Sequence, residues 1–305
     1  MDTHLDLNPE VGLPRIGFGT YQVSDDDVYS VVLEALRIGY RHVDTAEGYE
    51  NECGVGRAIE SGMRELGLSR GDVFVTTKLM PGFPDHGMPF RNRQTTVEAC
   101  IGSLSRLNLE YVDLYLIHAP LAKEQRIEQW QALVELKEMG KLRSIGVSNY
   151  GVAHIEEIAS AGLPLPDANQ IEIHPWSQKP KLVSYLLEKE ISIIAYSSLA
   201  PLSNWREDGH SIKTEKMKEA GLQQDSPFKR MARKYNVTEA QILLRWGLQR
   251  GYAILPKSTH VERIRENFEL MSFQIDEDDM AMISVMDQGD GVAWYWDLGD
   301  PTKLP

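Results

Sequence analysis

Eight short apolar segments recur along this 305-residue chain, most followed by a stretch of helical periodicity, and that alternation restricts the fold more than any other feature. The strand-like segments fall at residues 16–20, 41–45, 74–78, 112–118, 144–148, 169–173, 191–196 and 253–257. Between them lie helix signals. Ser24 reads as an N-cap with Asp27 three residues on, ahead of an apolar stripe formed by Val28, Val31, Val32, Ala35 and Ile38, and Gly39 stands where helices end. Further helices are expected around Val55, Ile59 and Met63 through Leu66, at 95–107, 126–139, 152–161 and 180–190, then after a long polar insertion from Thr238 with Gln241 at N3, and again from Val261.

Strict βα alternation forces parallel pairing, and a parallel sheet must be covered on both faces. Eight such units predict an α/β fold of the (β/α)8 TIM-barrel type, one domain over residues 1–305. Asn8-Pro9 and Gly12-Leu13-Pro14 predict an N-terminal hairpin ahead of it. The alternative is an open doubly wound sheet, which for a dinucleotide carries Gly-x-Gly-x-x-Gly after its first strand. Gly17-Phe18-Gly19-Thr20-Tyr21-Gln22 fails that pattern at its last position. Long segments at 80–94, 199–225 and 288–305 are expected as loops and a tail on the substrate side.

Composition limits the partners. A net charge of −13 argues against nucleic acid or an anionic membrane surface, so an anionic ligand would have to meet a local basic cluster. No apolar run approaches the roughly 18 residues of a membrane span, and the N-terminus lacks the basic and apolar regions of a signal peptide. Cys53 and Cys100 fit no metal spacing and read as reduced thiols. A cytoplasmic protein, monomeric rather than oligomeric, is expected.

In such barrels the active site lies at the C-terminal ends of the strands. Those ends read Thr20, Asp44, Lys78, His118, Ser148-Asn149, Gln170, Tyr196-Ser197 and Lys257-Ser258: a polar or ionisable group at all eight. Asp44, Tyr49, Lys78 and His118 are expected over one rim. Lys78 would favour the phenolate and draw the Tyr49 pKa down from about 10, while Asp44 keeps the ammonium charged. Tyr49 then suits proton transfer to a carbonyl oxygen that neutral His118 orients. The competing reading is a structural Asp–Lys pair with a tyrosine packed nearby. No metal is expected, because a lysine stands among too few ligands. His42, one layer deeper, reads as a core histidine.

Proton transfer reduces nothing without a hydride donor, which no side chain can be. Residues 256–263, Pro-Lys-Ser-Thr-His-Val-Glu-Arg, offer cations and hydroxyls at a helix start, where anions bind. An exposed, N-capped helix is the alternative.

From near Leu13 to near Phe273 the chain resembles the aldo-keto reductases. The resemblance rests on Gly-Phe-Gly-Thr at 17–20, Arg-His-Val-Asp-Thr-Ala-Glu-Gly-Tyr at 41–49, Thr-Thr-Lys-Leu at 76–79, Val-Asp-Leu-Tyr-Leu-Ile-His at 112–118, Ile-Gly-Val-Ser-Asn at 145–149, Asn-Gln-Ile-Glu at 169–172, Leu-Pro-Lys-Ser at 255–258 and Arg-Ile-Arg-Glu-Asn at 263–267. It implies NADPH-dependent reduction of an aldehyde or ketone, with Tyr49 as proton donor and Asp44, Lys78 and His118 completing a catalytic tetrad. It implies that Ser148, Asn149 and Gln170 hold the carboxamide, that Tyr196 stacks on the nicotinamide and that Ser197 and Leu199 line the pyrophosphate path. Thr20, Tyr21 and Asp44 would also border the cofactor. Lys257, Ser258, Thr259 and Arg263 would bind the 2′-phosphate, with Glu266 and Asn267 near the adenine. Tyr21, Tyr49, Met80, His118, Ala119, Trp205 and Trp294 are the expected substrate contacts. Ala119 stands where many family members have tryptophan, which predicts more room beside the carbonyl. The aromatic tail around Trp294-Tyr295-Trp296 is similar to that of fungal reductases of conjugated polyketones and ketolactones; it would wall the pocket or else only anchor the terminus. A cofactor-binding regulatory protein without turnover is the alternative function.

Overall fold

The computed structural model describes residues 2–202, 226–289 and 299–305. Two antiparallel strands, β1 (His4–Asn8) and β2 (Val11–Pro14), form the expected hairpin. Eight parallel strands follow in sequence order around one sheet: β3 (Phe18–Gly19), β4 (His42–Asp44), β5 (Phe74–Leu79), β6 (Val112–Ile117), β7 (Leu142–Ser148), β8 (Ala168–Glu172), β9 (Ser192–Tyr196) and β10 (Ala253–Ile254). The sheet closes on itself. Gly17 N–H donates to Ile254 O at 2.9 Å, Ile254 N–H to Arg15 O at 2.8 Å, and Gly19 N–H to Pro256 O at 3.0 Å. The fold is the (β/α)8 barrel.

Helices α1 (Asp25–Ile38), α2 (Glu52–Leu66), α3 (Arg93–Leu107), α4 (Arg126–Glu138), α5 (Val152–Ser160) and α6 (Pro180–Glu188) separate the strands from β3 to β9. After β9 come α7 (Pro227–Tyr235) and α8 (Glu239–Gln249), and after β10 come α9 (Val261–Phe268) and α10 (Glu277–Ser284). The caps behave as read: Ser24 accepts from Asp27 N–H, Gly39 ends α1 at φ 127°, and Thr238 with Gln241 makes a capping box at α8. One helix lay inside the stretch read as polar insertion. In α7, Ser226 caps Lys229 N–H, Pro227 occupies the first turn, and Phe228 and Met231 bury one face.

Strand alternation sorts side chains into two cores. On β6, Leu114 and Leu116 point into the barrel and join Phe74, Ala168, Ile194 and Leu255 there. Tyr115 and Ile117 point outward and pack in the shell of apolar side chains that the helices cover. The hairpin adds Leu7, Val11 and Leu13 to the interior cluster, so one end of the barrel is plugged with apolar side chains. Each buried Leu contributes about 1.5–3 kcal/mol relative to exposure. His42 sits in this interior as expected: fully buried, 3.2 Å from Pro14 O and 3.0 Å from Thr76 Oγ1, its pKa pushed down to about 4 by burial. No helix among the described residues is long and apolar enough to cross a membrane.

Candidate active site

The inward period of two places polar side chains above the apolar interior. His42 and Asp44 follow one another on β4, Phe74, Thr76 and Lys78 on β5, and Leu114 and Leu116 lead to His118 just past β6. Tyr49 closes a 3-10 turn, Glu47–Tyr49, immediately after β4. The four expected residues converge. Lys78 Nζ donates to Asp44 Oδ1 at 2.6 Å, to Thr45 O at 2.9 Å and to Tyr49 Oη at 3.2 Å. An ammonium has three protons, so this fully buried lysine has an acceptor for each. Gln170 Nε2 donates to the other Asp44 oxygen at 2.7 Å. The Tyr49 ring stands edge-on to His118 with centroids 5.5 Å apart, and lies 5.1 Å from the Tyr21 ring.

Electrostatics correct one expectation. Burial, and then the Asp44 charge, push the Tyr49 pKa well above its ordinary value instead of lowering it. Burial also lowers Lys78, with Asp44 opposing that shift. The anticipated effect of Lys78 on Tyr49 is outweighed because surrounding protein atoms desolvate the phenol and Lys78 is tightly engaged with Asp44. A high pKa keeps the phenol protonated, the state a proton donor requires. Burial and then Lys78 push His118 down to about 3, so its imidazole is neutral. Its Nδ1 is buried without a hydrogen-bond partner, a costly state for a polar atom.

Beyond this group, Ser148, Asn149, Gln170 and Tyr196 form a continuous polar wall. Ser148 Oγ donates to Gln170 O at 2.8 Å, Asn149 Nδ2 to His118 O at 2.9 Å, and Tyr196 Oη to Asn149 Oδ1 at 2.7 Å. Asn149, Gln22 and Ser197 hold left-handed backbones at φ 62°, 58° and 54°. Such backbones in non-glycine residues cluster at functional sites. Together these residues border a cavity of about 390 Å³, which runs from Tyr49, Met80 and His118 past Tyr196, Ser197 and Leu199 to Lys257.

The cavity suits a long ligand that is polar in its middle and anionic at one end. Lys257 stands exposed at the mouth, yet neighbouring atoms desolvate its ammonium enough to lower its pKa. Among the described residues it makes no ion pair. Thr259 and Arg263 are exposed near the start of α9, Glu266 is half-buried, and Asn267 is buried on the same helix. These features fit a nicotinamide dinucleotide.

Other expected contacts are placed differently. Thr20 does not reach the cavity wall, because its hydroxyl donates to Asp44 O at 3.0 Å and ties the strands. Ser258 is buried and accepts from His260 N–H at 3.1 Å. Ala119 is fully buried and forms no part of the described wall, so the expectation that it widens the space beside a carbonyl is not supported by its position. Trp205, Trp294, Tyr295 and Trp296 lie outside the described residues. Sequence reasoning missed Gly19, Gln22, Gly48, Ser198, Ala200, Leu255 and Pro256 on the wall. The period-two patterns of 16–20 and 253–257 could have given Gly19 and Leu255; the others lie outside the strands, with no periodicity to read. No group of three or more His, Cys, Asp or Glu among the described residues could hold a metal.

A closed parallel barrel with an Asp–Lys–Tyr–His group at its C-terminal rim defines a class of enzyme site, and comparison with known proteins gives the family. The model of the aldo/keto reductase family matches residues 11–288. The chain is 34% identical over 278 residues to methylglyoxal reductase DkgA of Escherichia coli K12, covering 91% of this chain and 90% of that protein. An aldo/keto reductase structure from Brucella melitensis is 37% identical, covers 93% of this chain with 99% of its own and superposes with a TM-score of 0.79. The Bombyx mori aldo-keto reductase in complex with NADP is 31% identical, covers 93% and 92%, and superposes with a TM-score of 0.82. The chain belongs to the aldo/keto reductase family, an oxidoreductase family of carbonyl reducers.

Proposed function

We propose that this protein reduces an aldehyde or ketone to an alcohol with NADPH, Tyr49 being the proton donor. The barrel would act as one domain, with 80–94 bordering the substrate. The observation that carries the reading is the meeting of Tyr49 Oη, Lys78 Nζ and the His118 ring at the inner end of one cavity, with Asp44 holding Lys78 from below. When bound, the cofactor supplies the hydride to the carbonyl carbon.

The chain's own residues do the rest. Tyr49 gives its hydroxyl proton to the carbonyl oxygen, and the nearby ammonium of Lys78 stabilises the phenolate left behind. Neutral His118 donates a hydrogen bond that orients the same oxygen. Asp44 keeps Lys78 charged and directed. Ser148, Asn149 and Gln170 would bind a carboxamide, Tyr196 would stack on its ring, and Tyr21 and Asp44 would border it. Ser197 and Leu199 would line the pyrophosphate path. Lys257, Ser258, Thr259 and Arg263 would receive the 2′-phosphate, and Glu266 and Asn267 the adenine. Met80 and Tyr21 would flank the substrate. Supporting the reductase reading, relatives over nearly the whole chain are named as reductases.

The test is cofactor oxidation at 340 nm with a panel of activated aldehydes and α-diketones, run with NADPH and with NADH. Turnover with NADPH preferred is expected, and Arg263→Ala should weaken NADPH by about 1.5–3 kcal/mol while leaving NADH nearly unchanged. Tight NADPH binding with silence across the panel would contradict the reading.

A further inference from the structure

Glu47 opens the turn that Tyr49 closes, and its carboxylate crosses to the segment after β5. Oε2 accepts from Met80 N–H at 3.0 Å, and Oε1 accepts from Arg91 Nη2 at 2.7 Å. Arg91 in turn donates Nε to Met80 O at 2.9 Å. One ion pair therefore holds both backbone polar groups of Met80, a residue on the cavity wall. Gln129 Nε2 fixes the same loop from α4, donating to Pro81 O at 3.1 Å and Arg91 O at 2.8 Å.

The loop between these anchors is preformed. Phe83 and Met88 exchange backbone hydrogen bonds of 2.7 and 3.2 Å, and Gly82, at φ 109°, packs so closely that a Cβ would lie 2.5 Å from Phe90 Cα. Met80 also rests on the turn itself: a Cβ on Gly48 would lie 2.7 Å from Met80 Cε, one residue before Tyr49. The Glu47 and Arg91 side chains keep only 17% and 29% of their exposure, so the pair is better shielded from solvent than an ordinary surface ion pair.

We propose that Glu47 and Arg91 are positioning residues, a latch that fixes the Met80 wall beside Tyr49 and so favours carbonyl compounds with a bulky apolar substituent. The proposal rests on the carbonyl-reductase reading. A wall ordered during folding costs nothing to order when substrate binds. Released, it would have to be ordered by any substrate large enough to reach Met80. A small aldehyde held by Tyr49 and His118 would not notice. The Arg91 fork serves Met80, Thr95 and Glu47 at once, a geometry that a lysine point charge cannot copy.

The experiment compares wild type, Glu47→Gln, Arg91→Met and the double variant with NADPH, using an aryl ketone and a small aliphatic aldehyde. The ratio of kcat/KM for ketone over aldehyde should fall roughly tenfold in each single variant. The loss should appear in KM, and the double variant should lose no more than either single, as for two residues acting as one unit. An unchanged ratio, additive losses, or equal falls in kcat for both carbonyls would overturn the latch. Hydrogen exchange at the Met80 amide gives a readout independent of turnover: faster exchange in both single variants supports the latch, and unchanged exchange overturns it. A wild type silent toward both carbonyls contradicts the proposed reaction, and the exchange result then decides the latch separately.

Discussion

Lys78 makes its shortest hydrogen bond to Asp44, 2.6 Å, and reaches Tyr49 at 3.2 Å. The carboxylate therefore governs where the ammonium sits, and the ammonium is aimed at the phenol as a consequence. Asp44 is itself held by Gln170 from β8, so the rim group is braced across the barrel.

Replacing Asp44 by Asn should expose this dependence. The amide keeps the shape but leaves a fully buried ammonium without its counter-charge. Breaking one side of a buried pair costs about 3–5 kcal/mol. Urea unfolding of Asp44→Asn should show a loss in that range, and a loss below about 1 kcal/mol would mean that Lys78 is already neutral in the wild type.

Two desolvated imidazoles set an acid limit. His118 and His42 have folded pKa values of about 3 and about 4, below the ordinary value of 6.5. As pH falls below 6.5 the unfolded chain takes up these protons first, so stability is lost progressively between that point and about 3. Each group contributes a slope of at most about 1.4 kcal/mol per pH unit. His118→Gln should flatten the pH dependence of unfolding free energy between pH 6.5 and 4. Parallel profiles for variant and wild type would show that His118 is not held neutral.

The barrel seam is a steric test of the fold. A Cβ on Gly17 would collide with His42 Nδ1 and lie 2.6 Å from Leu255 Cδ2. His42 cannot swing away, because both ring nitrogens are engaged. Gly17→Ala should destabilise the protein by about 1–3 kcal/mol, the usual cost of overpacking, as measured by denaturant unfolding. A neutral effect would mean that the seam between residues 15–19 and 253–256 is loose.

The barrel was legible because its strands repeat and each ends in a polar residue. Asp44, Lys78 and His118 could be placed over one rim in advance from the strand ends alone, whereas the bond from Gln170 to Asp44 could not. What could not be read depends on burial and on neighbours distant in sequence. Burial pushes the Tyr49 pKa up, a direction that the proximity of Lys78 does not reveal. Thr20 stands at a strand end like the others, yet its hydroxyl bonds to a carbonyl of the next strand. The Glu47–Arg91 pair spans 44 positions with no periodicity to announce it. Helix α7 is masked in the sequence by the polar segment that its nine residues follow, although Ser226-Pro227 marks its start.

The most direct measurement is the single-turnover rate of NADPH oxidation in Tyr49→Phe. This substitution removes one oxygen and little volume, leaving the cavity wall, the Asp44–Lys78 pair and His118 in place. The rate should fall by roughly 10²–10⁴, the contribution of a positioned general acid, while NADPH affinity stays unchanged. An unchanged rate, with affinity intact, would contradict the assignment of Tyr49 as proton donor.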